Sequence, residues 1–149
     1  MKLTLEWQPA LNLTDGSDCG LIYQVNPVRV PEDPGIYVFA RKYGTGIEAL
    51  YVGKANNLRS RIKTQLKNLP LMVHILNSLN GSRILLCGKF KPKPGQTRDT
   101  CLPILERALI RHFLSEGHDL VNKHGTLLKQ HEIKSNGTKH IPSEMFAEK

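Results

Sequence analysis

The sequence predicts an α+β fold: a small, mainly antiparallel three-stranded central sheet flanked by helices, with β additions at the N- and C-terminal ends. Three observations predict it. The runs "GIYVFAR" and "EALYVG" are short, β-branched and aromatic, and "KYGTG" lies between them as a turn, so the pair reads as a hairpin. Apolar residues then recur at helical spacing in "KANNLRSRIKTQLKNL". A further strand-like run, "SRILLCGKF", precedes a second helical stretch, "TCLPILERALIRHFL". With 149 residues and 40% hydrophobic composition, the chain has the length of one domain and enough apolar residues for one core. We expect a single domain over residues 1–149, with its core at about 34–125, an N-terminal extension over 1–33 and a C-terminal hairpin and tail over 126–149.

Within the extension, "KLTLEW" and "LIYQVN" are β-like and read as an added edge layer, and the Pro-rich "NPVRVPEDP" connects it to the hairpin. Symmetry of the hairpin about Gly44 would set Tyr37 directly opposite Tyr51, two phenols on one face at about 5 Å. After Gly53 a helix capped by Asn56 or Asn57 carries Leu58, Ile62, Leu66 and Leu69 on one stripe. Arg61 and Gln65 lie on one margin of that stripe and Arg59 on the other. A second helical piece, "PLMVHILNSLN", follows, and then the third strand, with Leu85 and Cys87 alternating against Leu86 and Gly88. The polar loop "KPKPGQTRD" leads into the long helix, with Thr100 as its cap and Pro103 in its first turn. On a helical wheel Leu102, Leu105, Leu109, Ile110 and Phe113 form one apolar arc, and Glu106 falls inside it. A carboxylate there is costly unless it meets a cation, a metal or several donors. It is either paired with an arginine that stitches helix to sheet or a site residue. "SEGHDLVNKHGTLL" reads as the helix end and a loop. "HEIKSNGTKHIP" centres on Asn136 and Gly137, a pair suited to a two-residue hairpin turn.

The net charge of +8 points to a polyanionic partner, and its distribution sharpens the inference. Residues 1–33 carry two basic and five acidic side chains, whereas residues 34–67 carry seven basic ones against Glu48 alone. No secretory signal and no run of apolar residues long enough for a membrane span is legible, so a cytoplasmic protein is expected. Cys19, Cys87 and Cys101 are scattered, without a C-x-x-C pair, which fits free thiols in a reducing compartment. Five of the six histidines fall at or after His112, at spacings that put no two on one helix face.

With these pieces placed, the chain resembles the GIY-YIG nucleases. Gly35, Ile36 and Tyr37 match the first signature; Tyr51, Val52 and Gly53 match the second, with Val for the central Ile. Arg61 stands where the family keeps its catalytic arginine, Glu106 where it keeps its metal-binding glutamate, and Asn122 in "LVNKHG" where an asparagine closes the motif. The resemblance spans roughly residues 34–125. Within the family, "PGIYVF" with "YVGKANNLRSRI" is most similar to the N-terminal nuclease domain of the incision subunit of bacterial nucleotide excision repair, which shares Lys54. Two departures stand out. Homing-type members carry a histidine where this chain has Gln65, and the repair subunit is a much longer protein with further domains.

The resemblance implies a metal-dependent endonuclease acting on DNA, with Tyr37, Tyr51, Arg61 and Glu106 catalytic and Gly53, Lys54, Arg59 and Asn122 on the substrate side. Tyr37 would be the general base or would position the attacking water, although a phenol with a reference pKa of about 10 needs help to ionise. Gly53 would leave room for the phosphate. Between residues 34 and 110 the acidic side chains are Glu48, Asp99 and Glu106, and we place only Glu106 in the site. That count argues for a single Mg²⁺ or Mn²⁺ held by Glu106, water and phosphate oxygens, with Arg61 in place of a second cation. The competing reading is a non-catalytic nucleic-acid-binding module of the same fold. A nucleotide hydrolase using "GKANN" fails for want of a G-x-x-x-x-G-K-[ST] loop. Phosphate contacts give no base readout, so targeting is expected from a protein partner or from DNA structure. The element that could contradict this is the C-terminal hairpin, with Lys134, Lys139 and His140.

Overall fold

The computed structural model describes residues 2–121, 131–136, 141 and 144–147, and the fold is α+β as the sequence predicts. The elements run β1 (Lys2–Trp7), β2 (Leu11–Asn12), β3 (Thr14–Asp15), β4 (Tyr23–Gln24), β5 (Gly35–Tyr43), β6 (Gly46–Ala55), α1 (Leu58–Gln65), α2 (Leu69–Leu76), β7 (Ser82–Phe90), α3 (Arg98–Ser115), β8 (His131–Asn136) and β9 (Glu144–Ala147). Among the described residues one seven-stranded sheet has the order β6-β5-β7-β1-β8-β9, with the short β2 also on β7, and β3 pairs with β4 apart from it. The antiparallel centre β6-β5-β7 is the three-stranded core expected.

β1 departs from expectation. It is no edge layer: it lies between β7, antiparallel, and β8, parallel. Its alternation "KLTLEW" explains the place, since Leu3, Leu5 and Trp7 are all buried in the core beneath α3. At the C-terminal end Lys134 pairs with Glu144 and Asn136 is the last residue of β8, whereas Gly137, Lys139 and His140 of the expected hairpin lie outside the described residues.

Two apolar layers sandwich the sheet. On one face Ile36, Val38, Val52, Ile84 and Leu86 meet Leu102, Leu105, Leu109 and Phe113 of α3. On the other, Tyr37, Phe39, Leu85 and Cys87 meet Leu58 and Ile62 of α1 and Leu71, Met72 and Ile75 of α2. α1 is capped by Asn57, whose side chain accepts from Ser60 N at 3.0 Å, and it closes at Leu66. Asn68 caps α2 in turn, accepting from Leu71 N at 3.3 Å. The break after Leu66 throws Leu69 outward, 62% exposed, instead of continuing the stripe. α3 starts earlier than expected, with Thr97 as the cap, so Pro103 sits in the helix interior. With no N–H at Pro103, the Asp99 carbonyl lacks its helical donor. No helix among the described residues is long and apolar enough to cross a membrane.

Candidate active site

The hairpin brings the tyrosines together by a route the sequence did not suggest. Tyr43 pairs with Gly46, so the turn is the two residues Gly44 and Thr45, with Gly44 at φ 57° in the first position. That register alone would set Val52 opposite Tyr37 and turn Tyr51 to the α3 face. A register shift between Phe39 and Ala40 inserts one extra residue, Leu50, in β6. Beyond it Tyr37 pairs with Gly53, and Phe39 with Tyr51. Tyr51 is thereby returned to the face of Tyr37 as a diagonal neighbour, and the two rings stack with centroids 6.0 Å apart. The Tyr37 ring lies over Gly53: a Cβ there would stand 2.3 Å from the phenol oxygen. Gly53 therefore makes room for Tyr37, where the sequence reading had it make room for a phosphate.

α1 presents its polar margin to these rings. Gln65, only 5% exposed, donates from Nε2 to the Tyr37 hydroxyl at 2.7 Å and, at 3.4 Å, to that of Tyr51. Asn68 fixes the amide by donating to Gln65 Oε1 at 3.1 Å. Arg61, one turn earlier, lies close enough to Tyr37 for that phenol, with Tyr51 and Glu106 adding to it, to raise the guanidinium pKa. Burial pushes the Tyr37 phenol up to about 12, reinforced by Tyr51 and only partly opposed by the bond from Gln65 and the nearby charge of Arg61. Tyr37 is therefore protonated at neutral pH.

β6 is an edge strand, so α1 on one face and α3 on the other open towards each other past its end. An open cleft of about 510 Å³ results, lined by Lys54, Asn56, Ser60, Arg61, Arg98 and Asp99 among others, with Ala55, Leu102 and Pro103 as its apolar wall. Glu106 lies two turns along α3 from Asp99, half-buried and near enough to act on Arg61. It forms no ion pair with an arginine among the described residues, so the stitching role weighed for it has no partner there.

Part of the chain is similar to the UvrABC system protein C of Salinispora arenicola (strain CNS-205). Identity is 44% over 52 residues, which is 35% of this chain and 7% of that protein, so the likeness spans only a small part of its length. No family model matches the chain, and no solved structure does.

Beside the likeness to the UvrABC system protein C, the structure sorts the residues read from the sequence. Tyr37, Tyr51 and Arg61 meet at one point, with Glu106 close by and Gly53 beneath. Lys54 is exposed on the cleft. Arg59 turns the other way: Nε donates to Val30 O at 2.9 Å, Nη2 donates to Val28 O at 3.4 Å, and Nη1 pairs with Glu32. Asn122 lies outside the described residues, although Val121 before it donates to Leu50 O at 2.9 Å beside the bulge. Sequence reasoning noted Gln65 as a departure and missed that it ties both tyrosines; its place on the margin with Arg61 was the signal. It also left Asp99 outside the site, because starting α3 at Thr100 put Arg98 and Asp99 in a loop.

Proposed function

We propose that this chain is a metal-dependent endonuclease of the GIY-YIG type that hydrolyses DNA phosphodiester bonds. The observation that carries the reading is the convergence of Tyr37, Tyr51 and Arg61, drawn from β5, β6 and α1, with α3 bringing Glu106 near. The signature motifs and the partial likeness to a UvrABC system protein C support it. Among the described residues no three His, Cys, Asp or Glu side chains gather to cage a metal. One half-buried carboxylate instead suits a hard cation that keeps most of its water shell, so Glu106 with phosphate oxygens would hold Mg²⁺ or Mn²⁺. Bound there, such an ion supplies Lewis-acid stabilisation of the phosphate and leaving oxygen.

The chain's own groups do the rest. Arg61 places a permanent cation against the phosphate, beside Tyr37 and Tyr51. The half-buried Tyr51 is the phenol within reach of water; Tyr37, fully buried and with its pKa near 12, is a poor phenolate base and lies beside Arg61 through its hydroxyl. Gln65 and Asn68 hold that hydroxyl in place.

The alternative, a non-catalytic nucleic-acid-binding module, draws on one observation: Tyr37 is 0% exposed, as a core aromatic would be. A supercoiled plasmid incubated with and without Mg²⁺ and Mn²⁺ decides between them. Nicking that needs the cation is the expected result; binding without nicking in either metal would leave the module.

A further inference from the structure

The cleft beside the tyrosines is more than a way in to Arg61. Several arginines of the described surface are spent on the fold: Arg41 on Glu48 and the Asn80 carbonyl, Arg59 on the connector before β5, and Arg83 on the carbonyls of the α2–β7 turn. Lys54 and Arg98, both exposed on the cleft, have no side-chain hydrogen bond or ion pair among the described residues. Arg98 is also badly placed for helix stability, since it opens α3, where the macrodipole disfavours a cation. The start of α1 offers no amide cradle in its stead. Leu58 N donates to Asp33 O at 3.1 Å, Arg59 N to Pro31 O at 3.0 Å, and Ser60 N to Asn57 Oδ1 at 3.0 Å. The cleft's affinity for an anion therefore comes from side chains: Lys54, Arg61 and Arg98 against the single carboxylate of Asp99.

Its size and wall say what kind of anion fits. A lone phosphate would leave most of about 510 Å³ empty and would not use Leu102 and Pro103, whereas a nucleotide unit has both an anionic group and flat apolar faces. We propose that the cleft seats the nucleotide next to the cleaved bond, with Arg98 and Lys54 on its phosphate and Leu102 and Pro103 against its sugar or base. Arg98 and Lys54 are then substrate-binding residues, while Arg61, the cleft residue beside the tyrosines, belongs to the chemistry. The assignment rests on the nuclease reading above.

The test uses the full chain and a short fluorescent DNA strand, with binding read by anisotropy across a salt series without divalent cation and cleavage read in parallel with Mg²⁺. Arg98→Ala should weaken binding about tenfold, the value of one charged hydrogen bond, and lower the salt slope by about one. KM should rise with kcat little changed, Arg98→Lys should recover most of the loss, and Arg29→Ala, a charge-matched change outside the cleft, should leave binding near that of the parent. Asp99→Asn should tighten binding, an opposite sign that a merely structural effect would not produce. Parent-like binding by Arg98→Ala, or weaker binding by Asp99→Asn, overturns the cleft assignment even if the parent cleaves DNA. Weaker binding by Arg98→Ala in a chain that never cleaves overturns the nuclease reading and supports the cleft as a strand-binding site. A parent chain that does not bind the strand overturns both.

Discussion

Gly53 and Glu106 show two ways a residue type can be read correctly and explained differently. At Gly53 the sequence indicates only that a side chain is unwelcome; the structure supplies the reason, the Tyr37 ring in the space a Cβ would take. Gly53→Ala should therefore displace Tyr37 and lose about 1–3 kcal/mol of stability, as overpacking does, with cleavage falling at the same time. Urea denaturation and plasmid nicking on one preparation check both; a stable, active variant would mean that Tyr37 has room to spare. Glu106 was legible because a charge inside an apolar arc is costly. Glu106→Gln keeps the size and removes the charge, so the circular dichroism spectrum should be unchanged and metal-dependent nicking abolished. Retained nicking would remove Glu106 as the metal ligand, and an unfolded variant would return it to a structural role. Gln65 was harder to read, because amides at a helix margin are common and only the two hydroxyls it reaches make this one special.

Elements were legible in kind and less so in register, and the misses have local causes. The hairpin followed from its β-branched residues, yet the Leu50 bulge has no composition cue, and it decides which face Tyr51 occupies. α1 and α2 read as neighbouring helices, but Asn68, which closes one and caps the other, looked like one more polar residue of the first. α1 also carries an internal control. From the sequence, Arg61 is expected to be catalytic and Arg59 a substrate contact on the opposite margin; in the structure Arg61 lies by the tyrosines, while Arg59 ties the helix to the Val28–Glu32 segment. Arg61→Ala should cut the cleavage rate by about a hundredfold or more with little change in stability. Arg59→Ala should instead cost about 1–3 kcal/mol in urea denaturation through the lost charged hydrogen bonds, with turnover per folded molecule near that of the parent. Equal rate effects from the two would sink the site assignment.

At the scale of the whole molecule, the free edge of β6 is clamped by the segment after α3: His118 Nδ1 accepts from Ala49 N at 2.7 Å. That bond needs an unprotonated Nδ1, and burial, with His112 acting in the same direction and Glu48 and Glu116 opposing, lowers the His118 pKa from 6.5. A depressed histidine pKa favours the folded state while the ring is neutral. Stability is therefore full above pH 6.5 and is lost as pH falls from there towards the lowered folded value. Thermal unfolding across this window should show a falling Tm that His118→Asn, which keeps an acceptor near the Nδ1 position, partly flattens; an identical slope in the variant would assign the effect elsewhere. The sheet's long-range order was the least legible feature, since "KLTLEW" reads as any alternating strand and nothing local says that its neighbours are β7 and β8. The order of synthesis gives that arrangement a cost. β1 leaves the ribosome before the strands it needs, since it pairs with residues 88–90 on one side and 132–136 on the other. Leu3, Leu5 and Trp7 must wait uncovered while the hairpin, both short helices, β7 and finally α3 are made, and the second edge of β1 stays open until β8 emerges. A nascent chain paused between β7 and α3 thus exposes an apolar, half-paired strand, a form open to misassociation.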